Sequence, residues 1–163
     1  MKTLYILRHA KSSWDDMEMS DFDRPLNERG RKAAPFMGEL MAEKGLEPYV
    51  ILSSPAKRAK STAQMVKSAG KFDAEIWYED RIYEASPRAL SEVVSETDDA
   101  YKSLMVVGHN PGIEGFIRYL TGKLEPMPTA ALAVIDLNID SWDLINEGRG
   151  ELKKIFRPKD EMK

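Results

Sequence analysis

The sequence predicts a three-layer α/β/α sandwich, with a mainly parallel sheet that ends in an antiparallel edge strand. Three observations carry this. The apolar runs over 3–7, 49–53 and 103–107 are continuous rather than alternating, as in strands buried on both faces. The segments between them show helical periodicity, so strands and helices alternate along the chain. The 163 residues suit one domain, taken as 1–163, that buries roughly 70% of the surface its unfolded form exposes.

The elements follow in order. After the first strand, Asn27 is placed to cap a helix that ends near Gly45 and turns Ala33, Met37, Leu40 and Met41 inward, with a kink expected at Pro35. The second strand, Tyr49 to Ser53, leads into Ser54-Pro55, a cap followed by an N1 proline, and a helix to Gly70 with Ala59, Ala63 and Val66 inward. Ser86-Pro87 repeats that signature, and Leu90, Val93 and Val94 follow at helical spacing. Beyond the third strand, Ser103 to Val107, Asn110-Pro111 opens a helix through Phe116, Ile117 and Leu120 to Gly122. Pro126 and Pro128 mark an irregular connection to a strand over Ala131 to Leu137. Gly148 and Gly150 then frame a turn before an edge strand from Glu151 to Phe156.

Composition excludes several classes of function. Net charge is -3 and no block of Lys or Arg exceeds two residues, so no nucleic-acid partner is expected; Arg29, Arg31 and Lys32 read as a solvated helix face. The absence of cysteine excludes disulfides, thiolate metal sites and a cysteine nucleophile. Neither a signal-peptide core nor an apolar run of bilayer length is found, so a cytoplasmic location and no membrane partner are expected.

In a sheet of this kind ligands bind beyond the carboxyl ends of the strands, and the polar residues of interest fall there. Arg8 and His9 follow the first strand, Ser53 to Arg58 the second, and His109, the other of the two histidines, the third. A cation beside an imidazole can hold a phosphoryl group while the neutral ring nitrogen attacks it. That requires His9 neutral, with Nδ1–H held by a backbone carbonyl so that Nε2 faces phosphorus. His109, preferably as imidazolium, would bind a non-bridging oxygen. Arg8 and Arg58 would complete the clamp, since guanidinium forks match phosphate and stay charged. At 4 Å and an effective dielectric near 20, each such contact is of order 4 kcal/mol before desolvation. Arg24 either reaches the phosphate or pairs with Asp21 or Asp23.

Leu7-Arg8-His9-Ala10-Lys11-Ser12-Ser13-Trp14, Asp23-Arg24-Pro25-Leu26-Asn27-Glu28-Arg29-Gly30, Ser53-Ser54-Pro55-Ala56-Lys57-Arg58-Ala59 and Gly108-His109-Asn110-Pro111-Gly112 stand in order along the chain. With these motifs the sequence resembles the histidine phosphatase superfamily, also called phosphoglycerate mutase-like, and within it the SixA-type phosphohistidine phosphatases. The resemblance covers nearly the whole chain. It implies a phosphoglycerate mutase-like fold, a phosphohistidine intermediate on His9, and no metal or other cofactor. The family commonly has glycine where this chain has Ala10, which is tolerable if φ there stays negative. Phytase-like members carry aspartate where Asn110 stands, so that proton donor is missing. Glu84 looks like the donor glutamate of the mutase branch, and Asp15 and Asp16 compete for the role.

Imidazole leaves from phosphohistidine with a pKa near 6.5, whereas an alkoxide needs a proton, so an uncertain donor leans toward a phosphoramidate. The longest loops, 11–26 and 123–129, leave an open pocket able to admit a residue on a protein surface. The expected partner is therefore a phosphorylated protein, including a phosphohistidine protein, or else a small phosphate ester. Three rivals remain: a phosphatase or mutase acting on sugar or nucleotide phosphates, a non-catalytic phosphate-recognition module, and a metal hydrolase using both histidines.

Overall fold

The computed structural model describes residues 1–162. Its sheet has six strands in the order β3-β2-β4-β1-β5-β6: β1 Lys2–Arg8, β2 Val50–Ser53, β3 Glu75–Tyr78, β4 Ser103–Gly108, β5 Leu132–Leu137 and β6 Gly150–Phe156. The first four run parallel; β5 pairs antiparallel with β1, and β6 pairs antiparallel with β5 at the edge. The fold is that of an α/β protein with a mostly parallel sheet. The sequence reading does not single out β3, because Glu-Ile-Trp-Tyr lacks a continuous apolar run. As the other edge strand it is largely exposed and pairs only with β2.

Alternate residues of the central strands point to opposite faces, and both faces are covered. Tyr5, Leu7, Ile51, Met105 and Val107 pack with the buried stripes of α1 (Glu28–Glu43) and α2 (Lys57–Gly70). Leu4, Ile6, Leu52, Leu104 and Val106 pack on the other face with α3 (Pro87–Ser95), α4 (Gly112–Thr121) and Trp142. A short α5, Pro158–Glu161, follows β6. Burial on both sides explains why these strands read as unbroken apolar runs.

The caps are chemical. Asn27 accepts the Gly30 N–H at 2.8 Å, and Ser86 accepts the Ala89 N–H at 3.1 Å. Ser54 is not the cap of α2, which starts three residues later behind Ala56. The inward stripe of α1 carries Ala34 where Ala33 is expected; Ala33 is only partly buried. The helix continues through Pro35. A β-carbon at Gly30 would overlap the carbonyl oxygen of Lys11, so the start of α1 lies against the segment that follows β1.

Gly30→Ala therefore forces backbone apart rather than a flexible side chain. It is expected to destabilise the fold by about 1–3 kcal/mol, the usual range for overpacking, read as a lowered urea midpoint.

Candidate active site

The pairing of β1 with β4 places the two histidines. Arg8 stands opposite Gly108 in a parallel ladder, so His9 and His109 leave neighbouring strands at the same level. Such strands lie about 4.8 Å apart; the imidazole centroids are 5.0 Å apart with planes tilted by 49°. The His9 N–H donates to the Gly108 carbonyl at 3.1 Å, and the Ser54 N–H to the Val107 carbonyl at 3.0 Å. Arg58 then stands in the first turn of α2, not a full turn in as the Ser54 cap would place it.

His9 is buried, and its Nδ1 lies 2.7 Å from the Ala10 carbonyl oxygen. A carbonyl only accepts, so Nδ1 carries the proton and Nε2 keeps its lone pair. Burial above all, with Arg58 and Arg8 adding to it against the Ala10 carbonyl, lowers the His9 pKa to about 4. Ala10 is buried without a positive φ, so alanine fits where the family has glycine. Its N–H donates to Thr62 Oγ1 at 2.9 Å, and the Thr62 hydroxyl donates to the Arg58 carbonyl at 2.7 Å. Thr62 thus ties the His9 segment to the helix that carries Arg58.

His109 Nε2 lies 2.8 Å from Ser54 Oγ. That hydroxyl also accepts the Ala56 N–H at 3.2 Å, so Ser54 bridges His109 to the start of α2. Nδ1 is buried and has no hydrogen-bond partner among the described residues; the same holds for Arg8 Nε. Burial, then His9 and Arg58, push the His109 pKa down to about 3. Among protein groups alone the ring is therefore neutral, and the imidazolium expected on a bound phosphoryl oxygen would need that oxygen's charge.

Arg8 donates from Nη1 to the Met127 carbonyl at 3.1 Å, which also accepts Asn110 Nδ2 at 3.0 Å. Glu114 Oε2 accepts from Asn110 Nδ2 and from the Met127 N–H, both at 2.8 Å, closing a network that fixes Arg8. The nearly buried Arg58 donates from Nη1 to the Asp21 carbonyl at 2.6 Å and from Nη2 to Asp21 Oδ2 at 3.0 Å. Asp21 Oδ2 also accepts the Tyr83 hydroxyl at 2.6 Å, and the Tyr83 ring stands edge-on to His109, 5.5 Å between centroids. The Tyr83 hydroxyl, then Arg58, hold Asp21 below the usual carboxylate range, while Asp21 pushes Tyr83 up to about 12.

A profile of the histidine phosphatase superfamily (branch 1) matches residues 4–89, more than half of the chain. The chain belongs to the histidine phosphatase superfamily. It is 33% identical to a proposed phosphohistidine phosphatase SixA of Agrobacterium tumefaciens, over 96% of this chain and 98% of that one, with a TM-score of 0.82. An uncharacterised chloroplastic protein of Arabidopsis thaliana is 30% identical, over 87% of this chain and 69% of that protein. A 2,3-bisphosphoglycerate-dependent phosphoglycerate mutase of Streptomyces avermitilis is 42% identical across 64 residues only, 38% of this chain and 25% of the mutase. Near-complete coverage in both directions makes this a SixA-type member, and together with the superfamily match marks it as a phosphatase.

Within this histidine phosphatase, Arg8, His9, Arg58 and His109 converge, whereas the remaining residues singled out from the sequence do not join them. Arg24 is buried but makes no ion pair with Asp21 or Asp23. It donates to the Ser13 carbonyl at 3.1 Å and stacks 3.5 Å from the centre of the exposed Trp14 ring. Glu84 is exposed, has φ +55°, and makes no hydrogen bond or ion pair among the described residues; the side chain facing His109 is Tyr83, one residue before it. Asp15 and Asp16 are exposed in the 11–26 loop, and neither hydrogen-bonds to the four. Ser54, Thr62, Asp21 and Tyr83 are additions from the structure. Thr62 had a legible signal, a polar residue on an otherwise apolar helix face with Ala59, Ala63 and Val66; Asp21 and Tyr83 lie in loops and had none.

Two neutral buried histidines link stability to pH. Unfolded, both titrate near 6.5; folded, they are held at about 4 and about 3, so below 6.5 the unfolded chain binds more protons. Their contribution is present above pH 6.5 and lost as pH falls through 4 for His9 and through 3 for His109. Urea unfolding is expected to show a slope approaching about 2.7 kcal/mol per pH unit in that window from the pair, absent in His9→Asn/His109→Asn. In a separate titration, Asp21→Asn should bring the Tyr83 phenol back toward about 10, read in the tyrosinate absorbance against Tyr83→Phe.

Proposed function

We propose that this protein is a metal-independent phosphatase, cytoplasmic and built as one domain over 1–163, that removes phosphate from phosphohistidine on a protein. One observation carries the reading: His9, with its proton fixed on Nδ1, presents a free Nε2 among Arg8, Arg58 and the partnerless Nδ1 of His109. A buried ring nitrogen left unpaired costs about 1–3 kcal/mol, and a phosphoryl group would relieve that cost.

In the first step Nε2 of His9 attacks phosphorus, and the bond from phosphorus to the substrate's imidazole nitrogen breaks as that ring takes up a proton. Arg8 and Arg58 hold the non-bridging oxygens, with phosphate and Asp21 competing for Arg58. A dianion beside His109 opposes what lowers its pKa, so the ring gains a proton as charge arrives. In the second step water attacks phospho-His9, the N–P bond breaks, and inorganic phosphate leaves. Arg24 and Trp14 brace the loop that carries Asp21.

Two features favour phosphohistidine over an ester. Asp21 is ionised by its partners and Glu84 is exposed, so no carboxylic acid stands poised for an alkoxide leaving group, whereas imidazole needs less help. The 11–26 loop, which carries Asp21 to Arg58, also exposes Trp14, Met17 and Phe22, residue types that anchor protein partners. No helix of the described residues is long and apolar enough to cross a membrane, and no three His, Asp or Glu side chains among them form a metal-binding group.

His9→Ala should keep its circular dichroism and lose turnover by at least roughly 10³-fold, and the wild type should carry an acid-labile, base-stable phosphoryl label on His9. Turnover should survive a chelator. Rates on a phosphohistidine protein are expected to exceed those on a panel of sugar and nucleotide phosphates; the reverse order would assign the site to small esters. Phosphate binding without any turnover would make it a recognition module.

A further inference from the structure

Arg29 and Lys32 read in the sequence as a solvated helix face, but the fold gives them company. With Lys11 and Lys159 they line a cleft of about 370 Å³ shared with Ala33, Pro128, Thr129, Pro158 and Met162, and no described carboxylate lines it. Arg31, between them, turns away to the Leu26 carbonyl. Lys11, Arg29 and Lys159 form no ion pair among the described residues, and Lys32 meets only Glu28 of its own helix, at 3.5 Å with both side chains exposed. Four cations thus gather in one cleft of a chain whose net charge is -3.

Helix stability does not account for this placement. Arg29 and Lys32 sit in the first turns of α1, the end where the helix dipole disfavours cations. An anion in the cleft would offset both that and the repulsion among the four. The cleft also adjoins the phosphate site. Lys11 is two residues from His9, so their Cα atoms lie at most about 7 Å apart. Pro128 and Lys159 also line the neighbouring hollow bordered by Arg8 and Arg157, where Glu114, Glu125 and Asp160 stand too, so the run of unopposed cations is confined to the cleft itself.

We infer that the cleft is a subsite for Asp and Glu side chains flanking the phosphorylated residue of a protein substrate, an inference that rests on the phosphatase reading above. A lone phosphate ester held at His9 would leave the cleft untouched, because apart from Lys11 the cleft's lining belongs to α1, the 128–129 segment and the C-terminal residues 158–162. A polypeptide, advancing about 3.3 Å per residue, meets both.

The test uses the full chain and two fluorescent unphosphorylated peptides of equal length, one rich in Glu and one with Gln in its place. Anisotropy at low salt should show binding of the Glu peptide, weakened by added salt, and little of the Gln peptide. Lys32→Gln/Lys159→Gln, at exposed positions away from His9, should weaken it roughly fivefold, as expected for two solvent-exposed charge contacts. On a phosphohistidine peptide with Glu flanks the same variant should raise KM by that factor with kcat unchanged, and leave hydrolysis of free phosphoramidate unaltered. Equal affinity for both peptides, or an unchanged affinity in the variant, overturns the subsite. Binding needs no turnover, so the two readings fail separately. Variant-sensitive Glu-peptide binding without phosphohistidine hydrolysis removes the substrate assignment and keeps the cleft, whereas equal hydrolysis whatever the flanks does the opposite.

Discussion

The parallel, in-register pairing of β1 with β4 is the constraint on which the rest depends. Because Arg8 faces Gly108, the next residue of each strand is a histidine, and the spacing of two hydrogen-bonded strands becomes the 5.0 Å spacing of two imidazoles. A slip of one residue would carry one ring to the opposite face of the sheet. The slip is opposed by the core, since Leu4 and Ile6 belong to one apolar layer and Tyr5 and Leu7 to the other. Packing on both faces thus fixes the register, and the register fixes the site.

Around that pair the protein sets two guanidinium charges, of which one is ion-paired among the described residues. Arg58 has Asp21, but Arg8 bonds a backbone carbonyl, and both rings are held neutral by burial and by the guanidinium groups beside them. Neutrality serves His9, whose lone pair would be lost to a proton. For His109 it sets a condition: the charge useful for holding a phosphoryl group becomes affordable only when that group supplies the opposing charge. The loops complete this arrangement. Ala130, at φ +62°, donates its N–H to the carbonyls of both Arg8 and His9, fixing the turn behind them at the cost of an uncommon backbone conformation.

Much of this was legible in the sequence where a local rule and the tertiary environment agree. Continuous apolar runs marked β1, β2 and β4 because both faces of these strands are covered, and Asn27 and Ser86 marked helix starts because capping is a local interaction. The edge strand β3 stayed hidden, since it has only one partner and an exposed face. Ser54 shows why a cap signature can mislead. Its hydroxyl does accept a nearby N–H, but its other hydrogen bond goes to His109, 55 residues away, which no local pattern encodes.

By itself the sequence determined the layered α/β architecture and which four side chains stand at strand ends, because hydrophobic period and strand-to-helix punctuation are written residue by residue. Only the tertiary structure decided the protonation of His9 and His109, the seizure of Arg58 by Asp21, the turning of Tyr83 rather than Glu84 toward His109, and the gathering of Lys11, Arg29, Lys32 and Lys159 in one cleft. Each of these depends on burial and on distances between segments far apart in the chain, and the strength of a charge or a hydrogen bond is set by those surroundings rather than by residue type.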